Sequence, residues 1–459
     1  MTIARAAPIQ VQPAGSILLA GCLGVCLSAA VLAGCSAGRT ESTSDPAAIS
    51  VLHSGVALDP EVEGFYRDRK DRPLWTSGSA LRPEALIALS MLSRAAEHGL
   101  DPARYDADEV KAAVAGARNG DQAALKRADF LLSNAYARFA EDVRRPPKAP
   151  SVFYVDAELM PRGVGKRSTL EALAAAPSLA AQLEANDRLN PLYDQVRREL
   201  AMALDGGITP DRLALMREKL DRARLLPTAA GGRYVLVNTA TAQLSMVENG
   251  RITDRMRVIV GKPGRATPMM AGLIRFAVLN PFWHIPRDLV ATRVAARVLR
   301  EGPAAVGRDH LEIVSEWGPA ARRIDAAEVN WQAVAAGRER LRVRQLPGPH
   351  NMMGSIKFMM PNRLGIYLHD TPDKSLFARA DRRLSSGCVR VEDSARMARW
   401  LFSGPAPTAT GAPEERVYLP RPIPVYITYL PVAPGADALA SAGAAQRRIP
   451  RRTAATVQS

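Results

Sequence analysis

Two residues in the C-terminal half are of types that make and pass on acyl groups. Cys388 sits in the run "RRLSSGCVRV", residues 382–391, and His369 in "GIYLHDTP". A thiol becomes a nucleophile when a base takes its proton, and near neutral pH imidazole is the natural base. His369 precedes Cys388 by 19 residues, too far for a local contact, so only the fold can join them. In an extended "GIYLHD", Tyr367 and His369 share one face while Leu368 and Asp370 point the other way. Asp370 is then a poor orienter of the ring, and a backbone carbonyl is the expected partner of its second nitrogen. Gly387 lets the backbone of the turn approach closely, and successive amides around the thiol can hold an oxyanion. Arg390, two residues further on, shares the face of Cys388 if the run is extended. Two roles are open to it: bidentate grip of a substrate carboxylate, or a structural ion pair with Glu392 or Asp393.

The elements that must position these residues divide the chain in two. From Phe65 to about Leu226 the pattern is helical. Pro83 opens one helix, with Leu86, Leu89, Leu92 and Ala96 at helical spacing and Gly99 at its end. A second is expected over 123–143, closed by the breaker "RRPPKAP". The pattern then changes to strands. Val235 and Val237 alternate, and Asn249-Gly250 between two such runs is the strongest short hairpin signal. "LIRFAVLN", "LGIYLHD" and "IPVYITYL" read as further strands, and "LVATRVAARVLREG" as one helix within a mixed insertion. The expected organisation is α+β: a helical domain at 58–227, then a mainly β domain at 228–430 carrying a cap insertion at 287–345. Residues 431–459 read as a disordered basic tail.

Composition narrows the function classes. The net charge is +15, but aromatic residues are only 5% and no basic run is interleaved with them, so a nucleic-acid partner is not expected. Arg447, Arg448, Arg451 and Arg452 read as a solvated tail. At the N-terminus, Arg5 precedes the apolar stretch "SILLAGCLGVCLSAAVLAGC". It reads as a signal peptide, residues 1–34, followed by a polar tether at 35–57. Leu32-Ala33-Gly34-Cys35 resembles a lipobox, with lipidation at Cys35. Leu19-Ala20-Gly21-Cys22 is a second candidate with little apolar sequence before it, and an uncleaved anchor is the plainer alternative. The cysteines are 22, 26, 35 and 388. On the lipidation reading Cys388 is the lone thiol of the folded part, so a disulfide lacks a partner and a cysteine-only metal site is excluded. No metal or cofactor is expected.

The arrangement resembles the L,D-transpeptidases with a YkuD-type catalytic domain, in the large periplasmic branch that carries a helical scaffold. The family pattern of a His, a spacer, then Ser-His-Gly-Cys with an Arg two residues on stands here as His369 and Ser385-Ser386-Gly387-Cys388-Val389-Arg390. Ser386 replaces the second histidine of many members. "FYRDRKDRPLWT" and "AEHGLDPARY" resemble the scaffold. "MRVIVGKPGRATPMMAG", "NPFWHIPRDL" and "QLPGPHNMMGSIKFMMPN" resemble the catalytic domain. The resemblance implies Cys388 as nucleophile and His369 as its proton acceptor. Gly387 and Ser386 would shape the turn and oxyanion hole, the amides of Gly387 and Cys388 would hold the oxyanion, and Tyr367, Arg390 and Trp283 would meet substrate. It also implies peptidoglycan stem peptides as donor and acceptor, a cap that excludes water, and lipid anchoring in a Gram-negative-type periplasm, at the outer membrane. A hydrolase of the same fold (carboxypeptidase or endopeptidase) and a non-catalytic wall-binding lipoprotein are the alternatives.

Overall fold

The computed structural model describes residues 52–53, 55–147, 152–228 and 232–431. The expected signal peptide, Cys35 and all but the first residue of the expected tail lie outside them. Among the described residues no helix is long and apolar enough to cross a membrane.

Among the described residues eight α-helices build the N-terminal part: α1 Pro60–Asp68, α2 Pro83–Ser93, α3 Ala107–Gly116, α4 Gln122–Arg144, α5 Lys166–Ala175, α6 Leu179–Asp187, α7 Pro191–Asp205 and α8 Pro210–Arg224. Three start on a polar cap followed by proline. The side chains of Asp59, Asn190 and Thr209 accept from the amides of Glu61, Tyr193 and Arg212. The long amphipathic α4 packs against α1, α2, α3 and α5 and buries Phe130, Tyr136 and Phe139. It also carries Asp129, whose carboxylate accepts from the amides of Leu74 and Trp75 at 3.1 and 2.7 Å and from the Tyr66 hydroxyl.

Two expectations for this region are corrected. In α2 the buried face is Ala85, Ala88, Met91 and Leu92, while Leu86 is 51% exposed. Small alanines let α2 pack closely, and the bulkier Leu86 and Ile87 are turned outward. The tether expected to run to residue 57 also ends earlier. Leu52–His53 pairs with Val56–Ala57 across Gly55, whose φ of 74° makes the turn, and Val56 is buried beneath the helices.

The C-terminal part is a closed ladder. In chain order its strands are β1 Phe153–Tyr154, β2 Arg233–Asn238, β3 Gln243–Glu248, β4 Arg251–Gly261 and β5 Met270–Leu279, with β6 Trp283–His284, β7 Leu311–Val314, β8 Arg323–Ile324 and β9 Arg342–Gln345 in the insertion. Then come β10 Ile356–Met359, β11 Leu368–His369, β12 Arg383–Ser385, β13 Val389–Val391 and β14 Glu415–Thr428. Pairing runs β10–β11–β13–β4–β3–β2–β14–β5 and returns to β10. Asn249 and Gly250, with φ of 49° and 74°, make the β3–β4 turn that their sequence demands. Val235, Val237, Val258, Val260, Val425 and Ile427 fill the interior. The alternate residues of β2 are not solvated: Tyr234 and Leu236 join the core of the helices. The strand is therefore buried on both faces.

The insertion has its own small sheet, β6–β9–β7–β8, and its own core around Leu289, Val298, Ile313, Trp331 and Val343. The helix expected from "LVATRVAARVLREG" is interrupted. Arg287–Leu289 leads into a wide π turn, Val290–Val294, and then into α9, Ala295–Glu301. Its first turn is tied to the loop after β4 by an ion pair of Asp288 with Arg265.

Candidate active site

β11 and β13 lie side by side and parallel, with Leu368 opposite Val389 and His369 opposite Arg390. Residues paired in parallel strands point the same way. Leu368, Val389 and Val391 go into the barrel interior, each 0% exposed. The other face therefore carries Tyr367, His369, Cys388 and Arg390. The rings of Tyr367 and His369 stand edge to face at 5.8 Å. The 19-residue gap is closed by one strand pairing, which the sequence does not announce.

The loop that carries the thiol is held from three sides. The Ser385 carbonyl accepts from the Lys262 amide at 3.0 Å, and Val389 N–H donates to the Tyr367 carbonyl at 3.1 Å. The Ser385 hydroxyl donates to the Cys388 carbonyl at 2.7 Å and accepts from the Gly387 amide at 3.1 Å. Thr267, in the loop after β4, donates to the Gly387 carbonyl at 2.7 Å and accepts from the Gly261 amide at 2.9 Å. Gly387 has φ of 134°, a backbone conformation that favours glycine, and a Cβ there would stand 3.3 Å from Ile366 Cδ1, which would have to give way. Ser386 is exposed on the turn. The expectation that the Gly387 amide faces an oxyanion is corrected: its hydrogen goes to Ser385.

His369 is 2% exposed, and its Nδ1 lies 2.6 Å from the Asp370 carbonyl oxygen. A carbonyl only accepts, so Nδ1 carries the hydrogen and Nε2 keeps its lone pair. Burial, then the Arg390 charge, lower its pKa to about 3. The imidazole is neutral. Burial pushes the Cys388 thiol up, against the opposing pull of the Tyr367 amide and hydroxyl and of Arg390. Cys388 is partly exposed, and its Sγ lies 3.5 Å from the Gly365 carbonyl. No hydrogen bond joins it to His369 among the described residues. The resting pair is thus thiol and imidazole rather than thiolate and imidazolium.

The Asp370 side chain works on the far side. Its carboxylate accepts from the amide and hydroxyl of Ser355 at 3.0 and 3.1 Å and pairs with Lys374 at 2.5 Å. The residue that fixes the imidazole is itself fixed at both ends.

Among the described residues Arg390 forms no ion pair with an acidic side chain. Glu392 holds Arg257 at 2.9 Å, and Asp393 caps the following helix, α10 Ser394–Phe402, while pairing with Arg396. Arg390 Nε is buried without a hydrogen bond, and burial lowers its pKa. Of the two roles open to it, the ion pair is not formed, and a cation beside the thiol is left for a ligand. A second arginine, Arg293 of the π turn, is near enough to act on its charge. Arg293 lines a cavity of about 480 Å³ in the insertion, with Trp283, His310 and His350. Trp283 belongs to this cavity, which Cys388 and His369 do not line. His98, by contrast, is bound to Tyr193 and Asp187 inside the helices.

Thr267 and Ser385 were not singled out from sequence as functional. "GRATP" carried no signal beyond its resemblance, because a hydroxyl's role depends on what the fold sets against it.

Comparison with known proteins agrees with this geometry. A family model described as the L,D-transpeptidase catalytic domain, YkuD, matches residues 232–413, and one described as a scaffold domain matches residues 60–200. A provisionally named L,D-transpeptidase of Haemophilus influenzae is 28% identical over 353 residues, 76% of this chain and 68% of that protein. An L,D-transpeptidase structure from Mycobacterium smegmatis has 10% identity and a TM-score of 0.22, covering 43% of this chain and 58% of its own. A structure of the Ldtfm–avibactam carbamoyl enzyme has 10% identity and a TM-score of 0.20, covering 46% and 61%. The chain spans less than two thirds of either solved protein. This chain thus carries a YkuD-type L,D-transpeptidase catalytic domain at residues 232–413, preceded by a scaffold domain at residues 60–200.

Proposed function

We propose that this protein forms 3→3 crosslinks in peptidoglycan through a thioester on Cys388. Cys388 Sγ attacks the carbonyl of the third residue of a tetrapeptide stem, and the thiol proton passes to His369 Nε2. The tetrahedral intermediate collapses, the C–N bond breaks, and His369 returns the proton to the departing amine of D-alanine. The side-chain amine of a diaminopimelate on a second stem then attacks the thioester. His369 takes its proton and gives it to the departing sulfur. One amide is broken, one is made, and the enzyme is restored.

The observation that carries this reading is the single face of β11 and β13. It sets a thiol, an imidazole whose Nδ1–H is held by a backbone carbonyl so that Nε2 is free, and an unpaired arginine together. Arg390 is placed to hold the carboxylate of the stem terminus, which lies one residue beyond the scissile bond. The insertion, tied by the Asp288–Arg265 ion pair to the loop that carries Thr267, supplies a cap against water.

Purified tetrapeptide muropeptides should give a thioester adduct by mass spectrometry and then 3→3 dimers. Cys388→Ala should give neither, and should also lose the single adduct expected with a carbapenem. Tripeptide and D-alanine without dimers would instead favour the hydrolase. Thioester and dimers absent from folded wild-type protein would sink the proposal.

The same reading places the enzyme in the periplasm, tethered by lipid at Cys35, where the stems are. Cys35→Ala should release the protein from the membrane fraction or leave the leader attached. Wild-type protein found soluble and without lipid would end that part of the proposal.

A further inference from the structure

We infer that Thr267 is a positioning residue that aims the Cys388 amide at the oxyanion. The inference rests on the acyl-transfer reading and adds a residue to it. A trans peptide points its carbonyl and its N–H in opposite directions, and no peptide bond described here is cis. The Gly387–Cys388 peptide has its carbonyl fixed by the Thr267 hydroxyl at 2.7 Å. Its N–H, belonging to Cys388, is therefore turned away from Thr267. Among the described residues that N–H donates to nothing. The neighbouring Gly387 N–H is consumed by Ser385. One amide beside the thiol is free, and one hydroxyl determines its direction.

Thr267 is equipped for this. It is 7% exposed, and its oxygen is held in place by the Gly261 amide at 2.9 Å. Its hydroxyl hydrogen has one acceptor, the Gly387 carbonyl. The φ of 134° at Gly387 leaves that peptide without the restraint a side chain would impose. An external bond thus does what local sterics cannot. Fixed donors aimed at developing charge are worth more than donors that must reorganise as the reaction proceeds.

Oxyanion stabilisation matters for attack on a carbonyl and is irrelevant to displacement at saturated carbon, and this difference supplies the test. Thr267→Val keeps the volume and removes the hydroxyl. Its acylation by a carbapenem and by tetrapeptide stem should slow by about 10- to 100-fold, below the loss for deleting an oxyanion donor outright. Alkylation of Cys388 by iodoacetamide should stay at the wild-type rate. Thr267→Ser should restore acylation to within a few-fold. Should Thr267→Val fail to fold, Thr267→Ala is measured in the same way. Acylation unchanged in the hydroxyl-free variant would overturn the inference, as would acylation and alkylation falling together. Wild-type protein acylated by the carbapenem but not by the stem would refute the proposed substrate and leave this inference standing. Wild-type protein acylated by neither would refute both.

Discussion

At His369 burial and the Arg390 charge keep the imidazole neutral, and at Cys388 burial keeps the proton on sulfur. The two facts set a difference between reactions of the same thiol. Alkylation needs the thiolate, so its rate should climb with pH past the ordinary thiol range near 9. Acylation of a stem peptide uses the imidazole as acceptor within the reaction. With a pKa of about 3, that acceptor stays available into mildly acidic solution. Acylation should therefore persist at pH 5 to 6 while alkylation is nearly extinguished. His369→Ala should slow acylation by roughly 10²- to 10⁴-fold and make its pH profile follow that of alkylation. Two profiles that coincide in wild-type protein would show that His369 is not the base. The residues themselves were legible in sequence, since thiol, imidazole and arginine declare their chemistry by type. The unpaired state of Arg390 was not. It depends on Arg257 and Arg396 claiming Glu392 and Asp393, and both partners come from the fold.

Elements were legible where a local signal sets them. Asn249-Gly250 fixed its hairpin, and proline after a capping residue opened its helices. The buried face of α2 was not legible, because alanine gives weak contrast in a hydrophobic pattern, although small residues are what close helix packing requires. β1 gave no signal at all. Two residues within a helical region do not read as a strand, yet Phe153 and Tyr154 pair parallel to Met270 and Ala271 of β5. Asp156 then accepts from the Leu273 amide at 2.8 Å and from Arg275 at 2.6 Å. Asp156→Ala leaves a partly buried amide and a guanidinium without their acceptor. It should lower stability by about 1–3 kcal/mol in thermal or urea unfolding. Alkylation of Cys388 should be unaltered, because the seam lies outside the four-residue face. Unchanged stability would mean that water replaces the carboxylate at no cost.

Across the whole molecule the helices and the barrel share one core. Tyr234, Leu236, Val247, Met269, Ala271 and Tyr426 of the strand region cluster with residues of α1, α2, α4 and α7. The alternation read at Val235 and Val237 therefore does not separate a buried face from a solvated one: each face of β2 belongs to a different core. The insertion differs in kind, since it closes a core of its own.

The β1–β5 seam has a bearing on how this catalytic region can be handled. One side of β5 is covered along its length by β14. The other is shared, by β10 at Phe276–Leu279 and by β1 at Met270–Ala271. A barrel cut away from everything before residue 228 would present the first half of that side bare. With Gly272 in the strand and Met269, Met270 and Leu273 around it, such an edge is an invitation to pair with another chain. The helices are thus a plug as well as a scaffold. Transplanting the catalytic barrel into another protein would require bringing a two-residue strand with it, or a charged substitute that repels newcomers.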